Sequence, residues 1–277
     1  MSENQFEVTV ITATNLDPKY LDCVPLYIQF WLDQSSSSKN TYTPLVIVVA
    51  KQIPDELEEY SKYCVLHVPI EGVSDVFVSQ FIRSLYAPLC SGDLIITSDV
   101  DMLPISTMLF DEIIASRKED LPSFDICRDV LGVGQYPICY NLATPGTWGI
   151  VVGVKDIADV DKRVIDSYNY SVKKNNGYVS SHGGKGWFSD QEFIYTSVEA
   201  YEVHGGSVRK FSDSQTKHSR LDRLYLPFPI NWLALPWVYF GTFTDYHVHH
   251  PARKFRIFID SVRSINRFKN KRNKGQN

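Results

Sequence analysis

The sequence predicts an α/β protein with a Rossmann-like, mostly parallel central sheet flanked by helices. Two observations carry this. Strand-like and helix-like segments alternate as β-α-β-α-β-α-β over the first hundred or so residues, an order that favours parallel pairing. Residues 45–49 and 94–96 are short, continuously apolar runs, the pattern of strands covered on both faces.

In order, residues 6–12 alternate and are β-branched at Val8, Val10 and Ile11, which reads as the first strand. It runs out into Thr12, Ala13 and Thr14, small and polar as a backbone approaching a ligand requires. Residues 21–31 carry Val24, Tyr27, Ile28 and Trp31 on one helical stripe, and 35–40 read as a flexible polar loop. After the strand at 45–49, a helix over 54–63 opens on Pro54 and acidic residues. A short strand follows over 65–68. Residues 76–86 form a helix with Phe77, Phe81 and Leu85 on its apolar face and Arg83 off it. The strand at 94–96 leads to Asp99 and Asp101, and 108–116 is a further helix.

Beyond this the pattern loosens. Strands are expected over 124–130, with Asp125, Arg128 and Asp129, and over 136–142 and 147–154. Ile157, Val160, Val164 and Tyr168 mark a helix, and residues 173–186, which hold Lys185 among three glycines, read as a candidate lid. Ser189 and Glu192 have capping-box spacing. That puts Asp190 and Gln191 in the first turn of a helix, where side chains project into a cleft.

At 277 residues, with 44% hydrophobic and 22% charged, the chain can bury a sizeable core. We expect one domain over 1–262, split into a nucleotide-binding half (1–104) and a less regular donor-sugar and acceptor half (105–262). A frayed basic tail follows over 263–277, with the charge to attract an anionic membrane surface. A net charge of −4 argues against nucleic acid as a partner. The five cysteines form no Cys-x-x-Cys pair, so neither zinc nor a disulfide framework is expected. With no basic-then-apolar leader and no bilayer-length apolar run, the expected location is cytoplasmic.

The chemistry centres on Asp99 and Asp101. In extended backbone both carboxylates point one way, at the strand end where open α/β sheets bind ligands. Paired carboxylates call for a cation, and oxygen ligation suits Mn²⁺ or Mg²⁺. A second Asp-x-Asp, Asp159-Val160-Asp161, falls in an amphipathic helix and reads as solvated surface. His247, His249 and His250 cluster near the end of the chain. If that segment is extended, His247 and His249 share a face, and a neutral imidazole can complete a metal site.

Together these stretches resemble the metal-dependent glycosyltransferases of the GT-A fold, and most nearly the retaining family of glycogenin and lipopolysaccharide galactosyltransferases. Ser98-Asp99-Val100-Asp101 resembles that family's Asp-x-Asp, which implies metal and donor-diphosphate binding. Arg83, within Phe81–Leu85, resembles its donor-reaching Arg, and Asp190-Gln191-Glu192 its Asp-Gln-Asp at the transfer centre. The run from His247 to Arg253 resembles its His-x-x-Gly-x-x-Lys. This implies a metal-binding His247 and a phosphate-binding Arg253, with His250 in place of the Gly and His249 an alternative third ligand. Thr147-Trp148-Gly149 stands where the family has Asn-Ala-Gly against the donor sugar, and Asp129 is assigned to a donor-sugar hydroxyl. Arg83, Arg253 or Lys185 would add donors to the phosphates. The resemblance implies sugar transfer from a nucleotide sugar, UDP favoured, to a glycan or other hydroxyl acceptor. A sugar-phosphate nucleotidyltransferase or a non-catalytic binding module is the alternative.

Overall fold

A computed structural model describes residues 5–118, 121–128, 134–212, 216, 218–223 and 229–274. The strands are β1 (Glu7–Thr14), β2 (Thr41–Val49), β3 (Cys64–His67), β4 (Leu94–Thr97), β5 (Met102–Pro104), β6 (Ser123–Ile126), β7 (Asn141–Ala143), β8 (Ser207–Lys210), β9 (Ser219–Asp222) and β10 (Phe243–His247). The helices are α1 (Pro18–Leu21), α2 (Val24–Ser35), α3 (Asp75–Tyr86), α4 (Met108–Ala115), α5 (Pro145–Val152), α6 (Ile157–Asn175), α7 (Ser189–Val203), α8 (Leu235–Phe240) and α9 (Arg256–Lys274).

Seven strands form one sheet in the order β3-β2-β1-β4-β7-β6-β8. It is mostly parallel, with β7 antiparallel to both neighbours. Alternation along the strands feeds two cores: Val10, Leu94 and Ile96 pack with α2 and α4, whereas Ile11 and Ile95 pack with α3, α5, α6 and α7. All of β4 is buried, as its apolar run requires. A second sheet places β10 between β5, antiparallel, and β9, parallel.

Several expectations are corrected. Residues 147–154 are not a strand: Pro145–Val152 is α5. Thr144 caps it by accepting from the Thr147 N–H, Pro145 sits in its first turn, and Gly153 closes it at φ 66°. Residues 136–140 precede β7 rather than belonging to it, and Asp55–Tyr63 is a 3₁₀ segment. The polar loop before β2 is tied down, because Asp111 accepts from Ser38, Asn40, Tyr42 and Thr107. Ser189 and Glu192 form no capping box; the Ser189 hydroxyl donates to the Gly186 carbonyl at 2.7 Å, and Glu192 pairs with Lys174 at 2.8 Å. The box forms instead at α6, where Asp156 and Asp159 exchange hydrogen bonds with each other's backbone, so Asp159 has a structural task at the surface.

Of the segment expected to fray, residues 263–274 belong to the docked helix α9, which runs through residue 262 without a break; residues 275–277 lie outside the described residues. Phe258, Ile259 and Val262 are buried, and Arg263 and Arg267, one helical turn apart, grip Asp33 of α2 at 2.6 and 2.8 Å. Among the described residues, no helix is long and apolar enough to cross a membrane.

Candidate active site

A cavity of about 430 Å³ opens at the carboxyl ends of β1 and β4, a volume within the range of ligand pockets. The end of β1 supplies Ala13 and Thr14, and the turn after β4 supplies Asp99, Val100 and Asp101. Arg83 enters from α3, Asp190 and Gln191 from the start of α7, and Arg223 and His247 from the small sheet. Ser180, Ser181 and His182 of the loop between α6 and α7 form one wall.

The small sheet assembles one wall of the cavity by register. Met102 pairs with His247, and His247 pairs with Asp222 on β9. The Val248 N–H donates to the Asp101 carbonyl at 2.9 Å, which brings the segment after β10 against the turn after β4. Asp101 Oδ2 consequently meets His250 Nε2 at 2.9 Å, Arg223 Nη1 at 3.0 Å and His247 Nε2 at 3.4 Å. Burial pushes the Asp101 carboxyl up, but these donors outweigh it and hold it well below the usual carboxylate range. Asp222 Oδ2 lies 3.2 Å from His247 Nδ1. Burial lowers the His247 pKa, and the two carboxylates flanking the ring outweigh this and lift it to about 9.

This donor set fits a hard divalent cation. A buried carboxylate faces an imidazole nitrogen whose partner nitrogen is fixed by a second carboxylate, the arrangement that orients metal-binding histidines. A cation at Nε2 would take the place of the proton that the carboxylates stabilise. Among the described residues, no three His, Cys, Asp or Glu side chains already converge on one point. Arg223 lies against Asp101, and Asp99 is turned to Arg83.

Behind them lies a second charged group. Arg83 is buried between Asp99 and Asp190 and donates to the Ser98 carbonyl at 3.1 Å. Burial raises the Asp190 pKa to about 6, although Arg83 and the Gln191 N–H, which donates at 2.8 Å, pull it down.

Ala13, Thr14, Arg83, Asp99, Val100, Asp101, Asp190, Gln191 and His247 thus meet at one cavity, and Ser98 supports it through its carbonyl. Others stand apart. Thr12 is buried within β1. Thr147, Trp148 and Gly149 belong to α5, where Trp148 packs on Phe124 and donates to the Ile95 carbonyl at 3.2 Å. Glu192 is held outward by Lys174. Lys185 reaches toward the Asn176 carbonyl at 3.4 Å. The Arg253 side chain is 75% exposed, 3.9 Å from Asp22. His249 turns into the core, bonded to the Tyr246 hydroxyl at 2.8 Å and tilted against the Phe255 ring, and it is His250 that lies against Asp101. Asp129 lies outside the described residues.

Sequence reasoning missed Arg223, Asp222 and His250. The alternation Ser219-Arg220-Leu221-Asp222-Arg223 is a strand signal, but only its pairing with β10 shows that Asp222 lies beside His247.

No family model matches the sequence, and no curated protein matches it. Several solved structures are similar to it. One is the apo-form glycosyltransferase GlyE of Streptococcus pneumoniae TIGR4, at 13% identity and TM-score 0.44 over 88% of this chain and 54% of that one; the chain thus spans about half of its length. Another is the galactosyltransferase LgtC in complex with donor and acceptor sugar analogs, at 11% identity and TM-score 0.42, covering 93% of this chain and 95% of that chain. A third is the mannosyltransferase PcManGT from Pyrobaculum calidifontis in complex with GDP-Man and Mn²⁺, at 9% identity and TM-score 0.39, covering 76% and 56%.

Proposed function

We propose that the chain is a metal-dependent glycosyltransferase. It moves a sugar from a nucleoside-diphosphate sugar, UDP favoured, to a hydroxyl of a glycan or glycoconjugate. The observation that carries this reading is Asp101 facing His247 Nε2 at 3.4 Å on the cavity wall, with Asp222 holding Nδ1. Asp101, His247 and a reoriented Asp99 would hold Mn²⁺ or Mg²⁺. Bound there, the ion supplies charge stabilisation for the departing nucleoside diphosphate.

The need for a cation follows from the walls. Lys19, Arg83, Arg223 and the His247 imidazolium face four carboxylates, Asp17, Asp99, Asp101 and Asp190, so the walls leave no surplus positive charge for a diphosphate. Arg83 pairs with Asp99 and Asp190 here, and would keep Asp190 in place when Asp99 turns to the ion. Asp190 is mostly ionised above pH 6. It can then stabilise an oxocarbenium-like sugar beside Gln191 in a retaining reaction, the outcome the family resemblance favours. In an inverting reaction it would be the general base, since Lys174 holds Glu192 away. The loop carrying Ser180 to His182 would exclude water on closing.

The test is a thermal-shift screen of nucleotide sugars with and without Mn²⁺, followed by product analysis. Stabilisation by one nucleotide sugar only when Mn²⁺ is present, with its hydrolysis or transfer, supports the reading. No stabilisation by any of them would overturn it.

We place the reaction in the cytoplasm, a reducing compartment that suits the free thiols at all five cysteines. Contact with an anionic membrane surface is a further proposal. Exposed Trp237, Phe240 and Phe268 would enter the interface. Co-sedimentation with phosphatidylserine vesicles but not with phosphatidylcholine vesicles is expected; equal binding to both, or to neither, would refute it.

A further inference from the structure

Arg223 stands immediately after β9, one residue past Asp222, and lines the cavity beside His247. Its Nη1 donates to Asp101 Oδ2 at 3.0 Å and also to the Val248 carbonyl. The carboxylate oxygen that faces His247 therefore already carries a guanidinium. Two cations a few ångströms apart in a half-buried wall repel strongly, so Arg223 and a divalent ion compete for Asp101.

We propose that Arg223 is an exchangeable counterion. It pairs with Asp101 until donor arrives, then passes to the diphosphate and releases Asp101 to the metal. Nucleotide and metal thereby admit each other. The inference rests on the function proposed above and adds to it which cation meets the diphosphate and why the two ligands enter together.

The other cations are less suited to this. Arg83 is buried and stays bound to Asp190 and the Ser98 carbonyl even if Asp99 turns to the metal. Lys19 lies over the ring of Tyr20, with Nζ 4.7 Å from its centroid. Arg253 points away from the cavity, toward Asp22. Arg223 differs in that Asp101, which would hold the metal, is the carboxylate against it among the described residues, whereas Arg83 keeps Asp190 if Asp99 turns to the ion. A guanidinium is also the right shape, because its planar fork binds phosphate oxygens in pairs. Exchanging a carboxylate for phosphate keeps it charge-paired in both states, whereas a buried charge left unpaired is costly.

The experiment is isothermal titration of the full chain with Mn²⁺ alone, then with UDP at saturating Mn²⁺. It compares wild type with Arg223→Gln, Arg223→Lys and Arg253→Gln. Arg223→Gln is expected to bind Mn²⁺ alone about threefold or more tighter, because the competitor is gone, and UDP about tenfold weaker. Arg223→Lys should fall between, and Arg253→Gln should match wild type. Tighter metal binding is a change that mere damage to the fold would not produce. Arg223→Gln binding Mn²⁺ no tighter than wild type, or UDP equally well, overturns the exchange while leaving the functional reading intact. Wild type failing to bind UDP at all removes both.

Discussion

Arg83 Nη2 and Asp190 Oδ2 lie 3.4 Å apart at the back of the cavity, with side chains only 11% and 5% exposed. Burial nonetheless wins at the carboxyl, which titrates near 6 rather than 3.8. The folded protein therefore holds this proton more tightly than the unfolded chain does. The stability the group contributes is full below about pH 4 and is lost as pH rises through 6, by about 3 kcal/mol in all. Asp190→Asn cannot titrate. Urea denaturation at pH 4, 5 and 6.5 should show wild type losing stability relative to this variant as pH rises; a constant difference would contradict the assignment.

The same substitution tests chemistry separately from folding. Asp190→Asn should lower kcat about 100-fold or more, with the calorimetric Kd for UDP and Mn²⁺ close to that of wild type. A loss confined to KM would mean that Asp190 only helps to bind the donor.

His247 and His250 both reach Asp101, and His247 is also held by Asp222. In the presence of UDP, His247→Ala should weaken Mn²⁺ binding more than His250→Ala. Asp222→Asn should weaken it by about 10- to 100-fold, as outer-shell partners of metal ligands do. The reverse order of the two histidines would place the ion on the other side of Asp101.

Burial raises the pKa of Asp33, but the hydrogen bonds from Arg267 and Arg263 outweigh this and leave it below its ordinary value. This contribution is present above about pH 4 and is lost as acid protonates the group. Asp33→Ala should cost about 1–2 kcal/mol at pH 7 in these partly exposed pairs. It should cost much less at pH 3, and denaturant midpoints at the two values would read the difference.

Limited proteolysis between residues 176 and 188 should slow when UDP and Mn²⁺ are added together, since Ser180 to His182 face the cavity. Equal cleavage with and without ligands would rule out closure of this loop.

What was legible in the sequence was what local pattern can specify. The runs at 45–49 and 94–96 identified β2 and β4, and Asp99 and Asp101 followed from the second of them. At α5 the apolar run Trp148–Val152 hid a helix, because periodicity over so few residues does not separate a buried helix from a strand. Thr144, Pro145 and Gly153 were the better guide. Near the chain end, alternation was carried from His247 to His249, although β10 stops at His247. Spacing along the chain points to Arg253, whereas Arg223 goes unnoticed because the pairing of β9 with β10 is not visible there. Register between distant strands is a tertiary property that no local window contains.

The small sheet also has a temporal meaning. β10 is its middle strand and follows every strand of the large sheet in sequence, so a polypeptide still being synthesised can complete the large sheet while Asp101 waits for its imidazole. Such late, long-range pairing is slow to form. The cavity wall would be complete only once β10 is threaded into place, and a product terminated before it would be folded in part but lack His247.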